Sequence, residues 1–280
     1  MIVIRRHDSG EVLVEIDAAS LGGASLAGVT MLYAALPGAD LRNSDLRAAD
    51  LCNANLRDAN LSRADLTGAD LTLANVVNAH FQRALLSDAR LQAINVAEAG
   101  PSSTNFESAD LTRVVLKGSN LASANFASAI MHRADLTRCR LTAATLRAAQ
   151  LTDADLSFAN LRDADLSYST LQGARLDGAD LTNADLREAD LSYTSFNGTL
   201  LAGARFDGAR CSKTSFARVR DLQFALGLDA IRWGDECAVD IHTLRASVGE
   251  LPHDMLTHCG IQPHEIAALR DLLAAQAPIA

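Results

Sequence analysis

Aromatic residues make up only 4% of the 280-residue chain, although 49% of it is apolar. That balance agrees with one elongated domain. No apolar run approaches the roughly 18 residues of a membrane span, so no membrane partner is expected. Met1–Gly10 lacks the long apolar stretch of a signal peptide. The five cysteines are an odd, scattered set, which argues for reduced thiols and against a disulfide framework. No Walker loop, G-x-G-x-x-G or H-E-x-x-H occurs, and no motif surrounds a Cys or Ser nucleophile. The C-terminal Cys237, His242, His253, His258, Cys259 and His264 are zinc-ligand types, but their spacings match no standard pair. Neither catalysis, nor a cofactor, nor a metal is expected.

What the chain has in abundance is a period. From Leu21 to Phe216 a large apolar residue recurs at every fifth position. Of forty such centres, all but Pro101 and Cys211 are Leu, Phe, Met or Val. Two residues earlier stands Ala in 29 cases, and Ser, Thr, Cys, Val or Ile in the others. A period this strict marks a repeat array, not an ordinary globular domain.

Five matches neither the helical 3.6 nor the plain strand alternation of 2. It fits a short extended segment followed by a corner. Ala and the centre then point to the same side, which predicts an inward core that includes Leu41, Leu46, Leu51, Leu56, Leu156, Leu161 and Leu166. Cys139 and Cys211 take inward slots as small apolar residues. Asp or Asn precedes the centre in about half of the repeats; such side chains bond nearby backbone N–H groups and form corners. Stacked coils would pair at about 4.8 Å. One coil cannot stand alone, because a buried Leu yields about 1.5–3 kcal/mol against about 1–2 kcal/mol of ordering cost per backbone residue.

The pattern Ala-(Asp/Asn)-Leu-x-x, as at Ala39-Asp40-Leu41 and Ala54-Asn55-Leu56, resembles the pentapeptide-repeat family over about 200 residues. The resemblance implies an all-β fold: a right-handed, four-sided parallel β-helix with about 20 residues per coil. Forty repeats would then make about ten coils and a rod of roughly 48 Å. It also implies a bacterial cytoplasmic protein.

Three segments are expected: residues 1–20 as an N-terminal hairpin cap, 21–219 as the β-helix, and 220–280 as a helical C-terminal tail. Ile2–Ile4 and Val12–Ile16 read as strands around Asp8-Ser9-Gly10, covering the first coil near Leu32 and Tyr33. Residues 73–119 are the least regular. Leu73, Val77, Leu85 and Val115 hold outward slots, Ile94 and Val114 replace Ala, and Gly100-Pro101-Ser102 reads as a bend or bulge. In the tail, Leu222–Leu228 reads as one or two turns, and Ile241–Val248, His253–Cys259 and Gln262–Gln276 read as helices.

Net charge is −9, of which residues 21–219 carry −2 and residues 220–280 carry −5. Sorting outward residues at twenty-residue intervals gives one acidic side: Asp45, Asp65, Asp88, Glu107, Asp165, Asp185, Glu188 and Asp207. Two functions follow. The first is a non-enzymatic scaffold binding an unidentified protein, with the tail as docking or homodimerising module. The second is suggested by resemblance to the Qnr-type proteins that protect DNA gyrase: a DNA mimic binding a type II topoisomerase through that acidic side. Direct nucleic-acid binding is not expected. The near-neutral array favours the scaffold.

Overall fold

The structure, a computed structural model, describes residues 1–91, 94, 104–247 and 251–274, with 269–274 described by backbone alone. The repeat centred on Leu46 shows how five residues close one side of a coil. Asp45 N–H donates to Ala24 C=O one coil back (2.9 Å), and Leu46 N–H to Asp65 C=O one coil on (2.7 Å). Ala48 N–H reaches Thr67 C=O (3.0 Å), while Ala49 N–H closes the turn on Leu46 C=O (3.1 Å). The fifth amide, that of Arg47, donates to Oδ1 of Asp45 (3.2 Å). All five donors have partners. The last bond explains the Asx before the centre, and it recurs from Thr67 to Asp65, Ser157 to Asp155 and Ser192 to Asp190.

The residue two after the centre takes a positive φ, +57° at Asn43 and +56° at Ala148, as a type II turn demands at its third residue. Pairing between coils is by isolated parallel bridges: Asp40 with Asn60, Asp45 with Asp65, Asp50 with Asp70, Asn55 with Asn75. Four such ladders, numbered here in that order, run along the stack. Regular strand is scarce. Among the described residues it is limited to the terminal elements, because each turn allows only one paired residue per side before the chain bends again.

The interval between coils changes once within the array. His80 pairs with Asn105, Leu85 with Asp110 and Arg90 with Val115, each twenty-five residues on, before twenty returns with Asn105 and Asn125. One coil therefore holds an additional pentapeptide. Uniform twenty-residue coils were the expectation; an insertion of one whole repeat preserves the five-residue register and so hides from it. Gly100-Pro101-Ser102 lies outside the described residues.

The core is as the period predicts. Leu41, Leu46, Leu51, Leu56, Leu156, Leu161 and Leu166 are fully buried. Phe81, Phe106 and Phe126 stack face to face along the axis, with centroids 4.9 and 4.8 Å apart. Polar residues in the Ala slot find carbonyls: Thr194 Oγ1 donates to Leu171 C=O (2.8 Å) and Cys139 Sγ to Leu116 C=O (3.0 Å).

At the N-terminus β1 (Ile2–Arg5) and β2 (Val12–Ile16) form an antiparallel hairpin. It grips the first coil through His7 N–H to Tyr33 C=O (2.9 Å) and Ala35 N–H to Arg5 C=O (2.7 Å). At the other end, loss of the sequence period after Val219 does not end the winding. Arg220 still pairs with Leu200, Leu226 with Arg205, β5 (Arg232–Trp233) with β3 (Arg210–Cys211), and β6 (Ala238–Val239) with β4 (Ser215–Phe216). The tail thus opens with a further, irregular coil instead of helix. Residues 222–230 supply two short 3-10 turns, Leu222–Phe224 and Leu228–Ala230. Helices follow: α1 (Ile241–Ser247), α2 (His253–His258) and α3 (Pro263–Ala274). Val248 and residues 275–276, read as helix ends, lie outside the described residues. Buried Thr243 fastens α1 to the stack, accepting from Val219 N–H (3.0 Å) and sharing its hydroxyl proton between Asp240 Oδ1 (2.7 Å) and Phe216 C=O (3.0 Å).

Candidate interaction surfaces

The eight carboxylates expected on one side do not share one. Asp45 and Asp65 belong to the second ladder, which continues through Leu85, Asp110 and Ile130, with Asp88 at its next corner. Asp165 and Asp185 belong to the first, which runs from His80 through Asn105, Asn125 and Thr145. Glu107, Glu188 and Asp207 lie at the first ladder's corners. The additional pentapeptide rotates everything after it by one side, which splits the row in two.

Most of these carboxylates are also neutralised where they stand. Arg47 bonds Asp45 (2.7 Å) and reaches Asp65 (3.8 Å); Arg113 bonds Asp88 (2.6 Å), Arg232 bonds Glu188 (3.0 Å), and Arg187 bonds Asp185. Arg205 stands 3.9 Å from Asp207. The hydrogen bond from Arg47 holds the Asp45 carboxyl down at about 2. Partial burial pushes Asp185 the other way, but the bonds from Arg187 outweigh it and its pKa is lowered. Glu107 and Asp165 have no ion-pair partner among the described residues. On the first ladder Arg42, Arg63, Arg83, Arg147, Arg187 and Arg205 stand against Asp40, Glu107, Asp165, Asp185, Glu188 and Asp207, six of each sign. No acidic face remains there.

Among the described residues the apolar outward residues of the array do not form a patch either. Val77 is buried, while Leu73 (54% exposed) and Leu85 (46%) sit on the third and second ladders. Exposed Tyr168, Tyr193 and Phe158 lie on three different ladders, each beside a cation: Arg147 (4.4 Å), Lys213 (5.5 Å) and Arg138 (5.8 Å).

All five cysteines are free. Burial pushes the thiols of Cys52, Cys139 and Cys259 up to about 12, and those of Cys211 and Cys237 up as well. Thiols so disfavoured as thiolates are poor nucleophiles and poor ligands. In the tail, His258 stacks on Trp233 (5.6 Å) and donates Nδ1–H to Asp254 C=O (2.8 Å). Among the described residues no three His, Cys, Asp or Glu side chains are grouped to hold a metal ion, and no helix is long and apolar enough to cross a membrane.

One concave feature was not foreseen. An open groove of about 560 Å³ follows the corner of the first ladder, lined by Arg42, Asn43, Ser62, Arg63, Gln82, Arg83, Glu107 and Ser108. Ser62 Oγ donates to Gln82 Oε1 across adjacent coils (3.0 Å). Arg42 is held by Asp40 (2.7 Å), whereas exposed Arg63 and Arg83 make no ion pair among the described residues. The signal in the sequence was Arg recurring in one slot of two consecutive coils.

The fold and its surfaces define a repeat protein that displays side chains outward from a filled apolar core. Models of pentapeptide repeats match residues 17–47, 36–72, 44–83 and 104–142, and one of a pentapeptide repeat region matches 129–206. The chain belongs to the pentapeptide-repeat family. It is 32% identical to HetL of Nostoc sp. strain PCC 7120, a pentapeptide repeat protein involved in heterocyst differentiation regulation, over 67% of this chain and 89% of that one (TM-score 0.38). It is 18% identical to QnrB1, a plasmid-mediated fluoroquinolone resistance protein, over 76% of this chain and 92% of that one (TM-score 0.40). A third similar structure is Rfr23 of the cyanobacterium Cyanothece 51142, at 24% identity over 44% of this chain and 87% of that one (TM-score 0.24). Among curated proteins none matches the chain.

Proposed function

We propose that this protein is a non-enzymatic scaffold for protein–protein interaction, built as a right-handed, four-sided stack. One observation carries the reading: the described repeats spend the centre and the residue two before it on the core and most of their backbone donors on neighbouring coils, leaving outward side chains in fixed columns. Such a lattice presents residues without needing to move. Residues 1–20 serve as cap, 21–219 as the displaying array, and 220–280 as terminal closure and a docking or homodimerising module, in the cytoplasm. The test is capture from the native host by tagged full-length chain. A protein partner retained at near-stoichiometric amount supports the scaffold; background proteins alone would sink it.

A DNA mimic acting on DNA gyrase or another type II topoisomerase is the second reading, brought in by the likeness to QnrB1. It called for a continuous acidic row. The row is split between ladders and largely paired with arginines, which removes its physical basis. A supercoiling assay with the purified chain tests it: neither inhibition of gyrase nor relief of a quinolone is expected.

A further inference from the structure

Outward arginines of the stack are commonly matched by a carboxylate one coil away, as Arg90 is with Asp70 (3.7 Å), Arg113 with Asp88 (2.6 Å) and Arg175 with Asp155 (3.3 Å). Several outward arginines have no such partner among the described residues, and in the groove on the first ladder two of them stand side by side. Arg63 and Arg83 occupy the same slot of adjacent coils, at a backbone spacing of about 4.8 Å, with no carboxylate between them among the described residues. Like charges directly opposite each other destabilise a ladder. They are tolerable at an exposed corner and become favourable once an anion lies across both.

We infer that this groove binds an extended acidic segment of a partner protein, with its carboxylates on Arg63 and Arg83. The inference rests on the scaffold reading and names the partner's chemistry. Four coils border the groove, so its length is about 14 Å, which holds about four extended residues. Each guanidinium can take a carboxylate through two parallel N–H donors. Ser62 and Gln82 line the groove beside the two arginines and offer hydrogen-bonding groups to a peptide backbone. Glu107 closes one end by repelling a further carboxylate, which limits the anionic footprint to a short stretch. That favours a peptide over nucleic acid. A long polyanion would extend past the groove onto a chain of net charge −9, where the summed field repels it.

The experiment titrates full-length protein into a fluorescein-labelled peptide of alternating Glu and Ser, read by fluorescence anisotropy. Saturable binding is expected, weakening as salt rises. The double variant Arg63→Asn with Arg83→Asn should weaken it at least tenfold; Asn is chosen because it tolerates the positive φ of both sites. Circular dichroism must show that variant folded, and Arg133→Asn, on another ladder, should bind like the wild type. No saturation up to about 1 mM, the weak end of useful affinity, overturns the inference, as does binding indifferent to the double change. Tighter, Arg63- and Arg83-dependent binding of an equally charged oligothymidylate overturns it in favour of nucleic acid. If the host protein captured by the tagged chain is retained by the double variant, the groove assignment falls while the scaffold stands. If no host protein is captured, the scaffold falls, and the peptide titration still decides the groove.

Discussion

Phe81 and Phe106 stack at 4.9 Å with their rings 12° from parallel, although twenty-five residues separate them. The same interval separates Leu86 from Leu111 and Leu91 from Leu116, whereas the coils before and after step by twenty. The pair fixes the rotation of all later sides relative to the earlier ones, since a twenty-residue step from Phe81 would land on Pro101. Phe106 is itself sandwiched, with Phe126 at 4.8 Å on its other face. Phe106→Ala should therefore cost about 3–5 kcal/mol, seen as a lower urea midpoint. A midpoint unchanged from wild type would mean that the stack does not hold the register.

The corner aspartates should be worth a hydrogen bond each. Asp190 accepts from Ser192 N–H (3.0 Å), so Asp190→Ala should cost about 1–2 kcal/mol, while Asp190→Asn, which keeps the oxygen, should cost little. Equal losses for the two would show that charge, not the acceptor, matters.

Ala148 sits at φ +56° on an exposed corner. The left-handed backbone costs a residue with a Cβ about 1–2 kcal/mol. Glycine loses about 0.4–1 kcal/mol through its freer unfolded chain. The first effect is larger, so Ala148→Gly should raise the melting temperature slightly, and Ala148→Val should lower it. Melting curves of the two variants decide.

Asp40 and Asp45 are each held at about 2 by hydrogen bonds from Arg42 and Arg47. A carboxyl whose folded pKa is depressed stabilises the fold above its unfolded value of about 3.9. That stabilisation disappears as pH falls through the folded value. The melting temperature should therefore decline between pH 4 and pH 2, modestly, since both carboxylates face solvent. Carbon-detected NMR titration should place Asp45 near 2, and Arg47→Ala should return it towards 3.9.

Thr243 bridges α1 to the last regular coil through one hydroxyl that serves both Phe216 C=O and Val219 N–H. Thr243→Val keeps the shape but removes the acceptor of Val219 N–H and the donor that Phe216 C=O shares with Asp240 Oδ1 (2.7 Å). At about 1–3 kcal/mol per unsatisfied group, the terminal helices should lose hydrogen-exchange protection before the array does. Simultaneous loss throughout would instead make the tail and the array one cooperative unit.

What the sequence made legible was local. The Ala and Leu slots, the Asx corners and the hairpin can be read because a five-residue motif carries its own geometry. Long-range register was not legible. An inserted repeat changes which of Asp65 and Asp165 faces which direction without altering any neighbour of either. The further coil at 220–239 was hidden for the opposite reason: its backbone pairs although Leu226, Arg232 and Ala238 no longer keep the period. The Arg63–Arg83 groove needed columns compared down one ladder, and summing charge over whole sides averaged it away.

The last winding has a consequence for growth of the molecule beyond itself. Along it the partner separations lengthen by one residue per side: Leu200 to Arg220 is twenty, Arg205 to Leu226 twenty-one, Arg210 to Arg232 twenty-two, and Ser215 to Ala238 twenty-three. A stack of identical coils is a template, and its open end invites another molecule to continue the pattern. Here the thread loosens steadily before it stops. An incoming regular coil, cut to a pitch of twenty, would meet donors and acceptors progressively out of step. The molecule thereby sets its own length, as a screw whose final turn has been deliberately stripped.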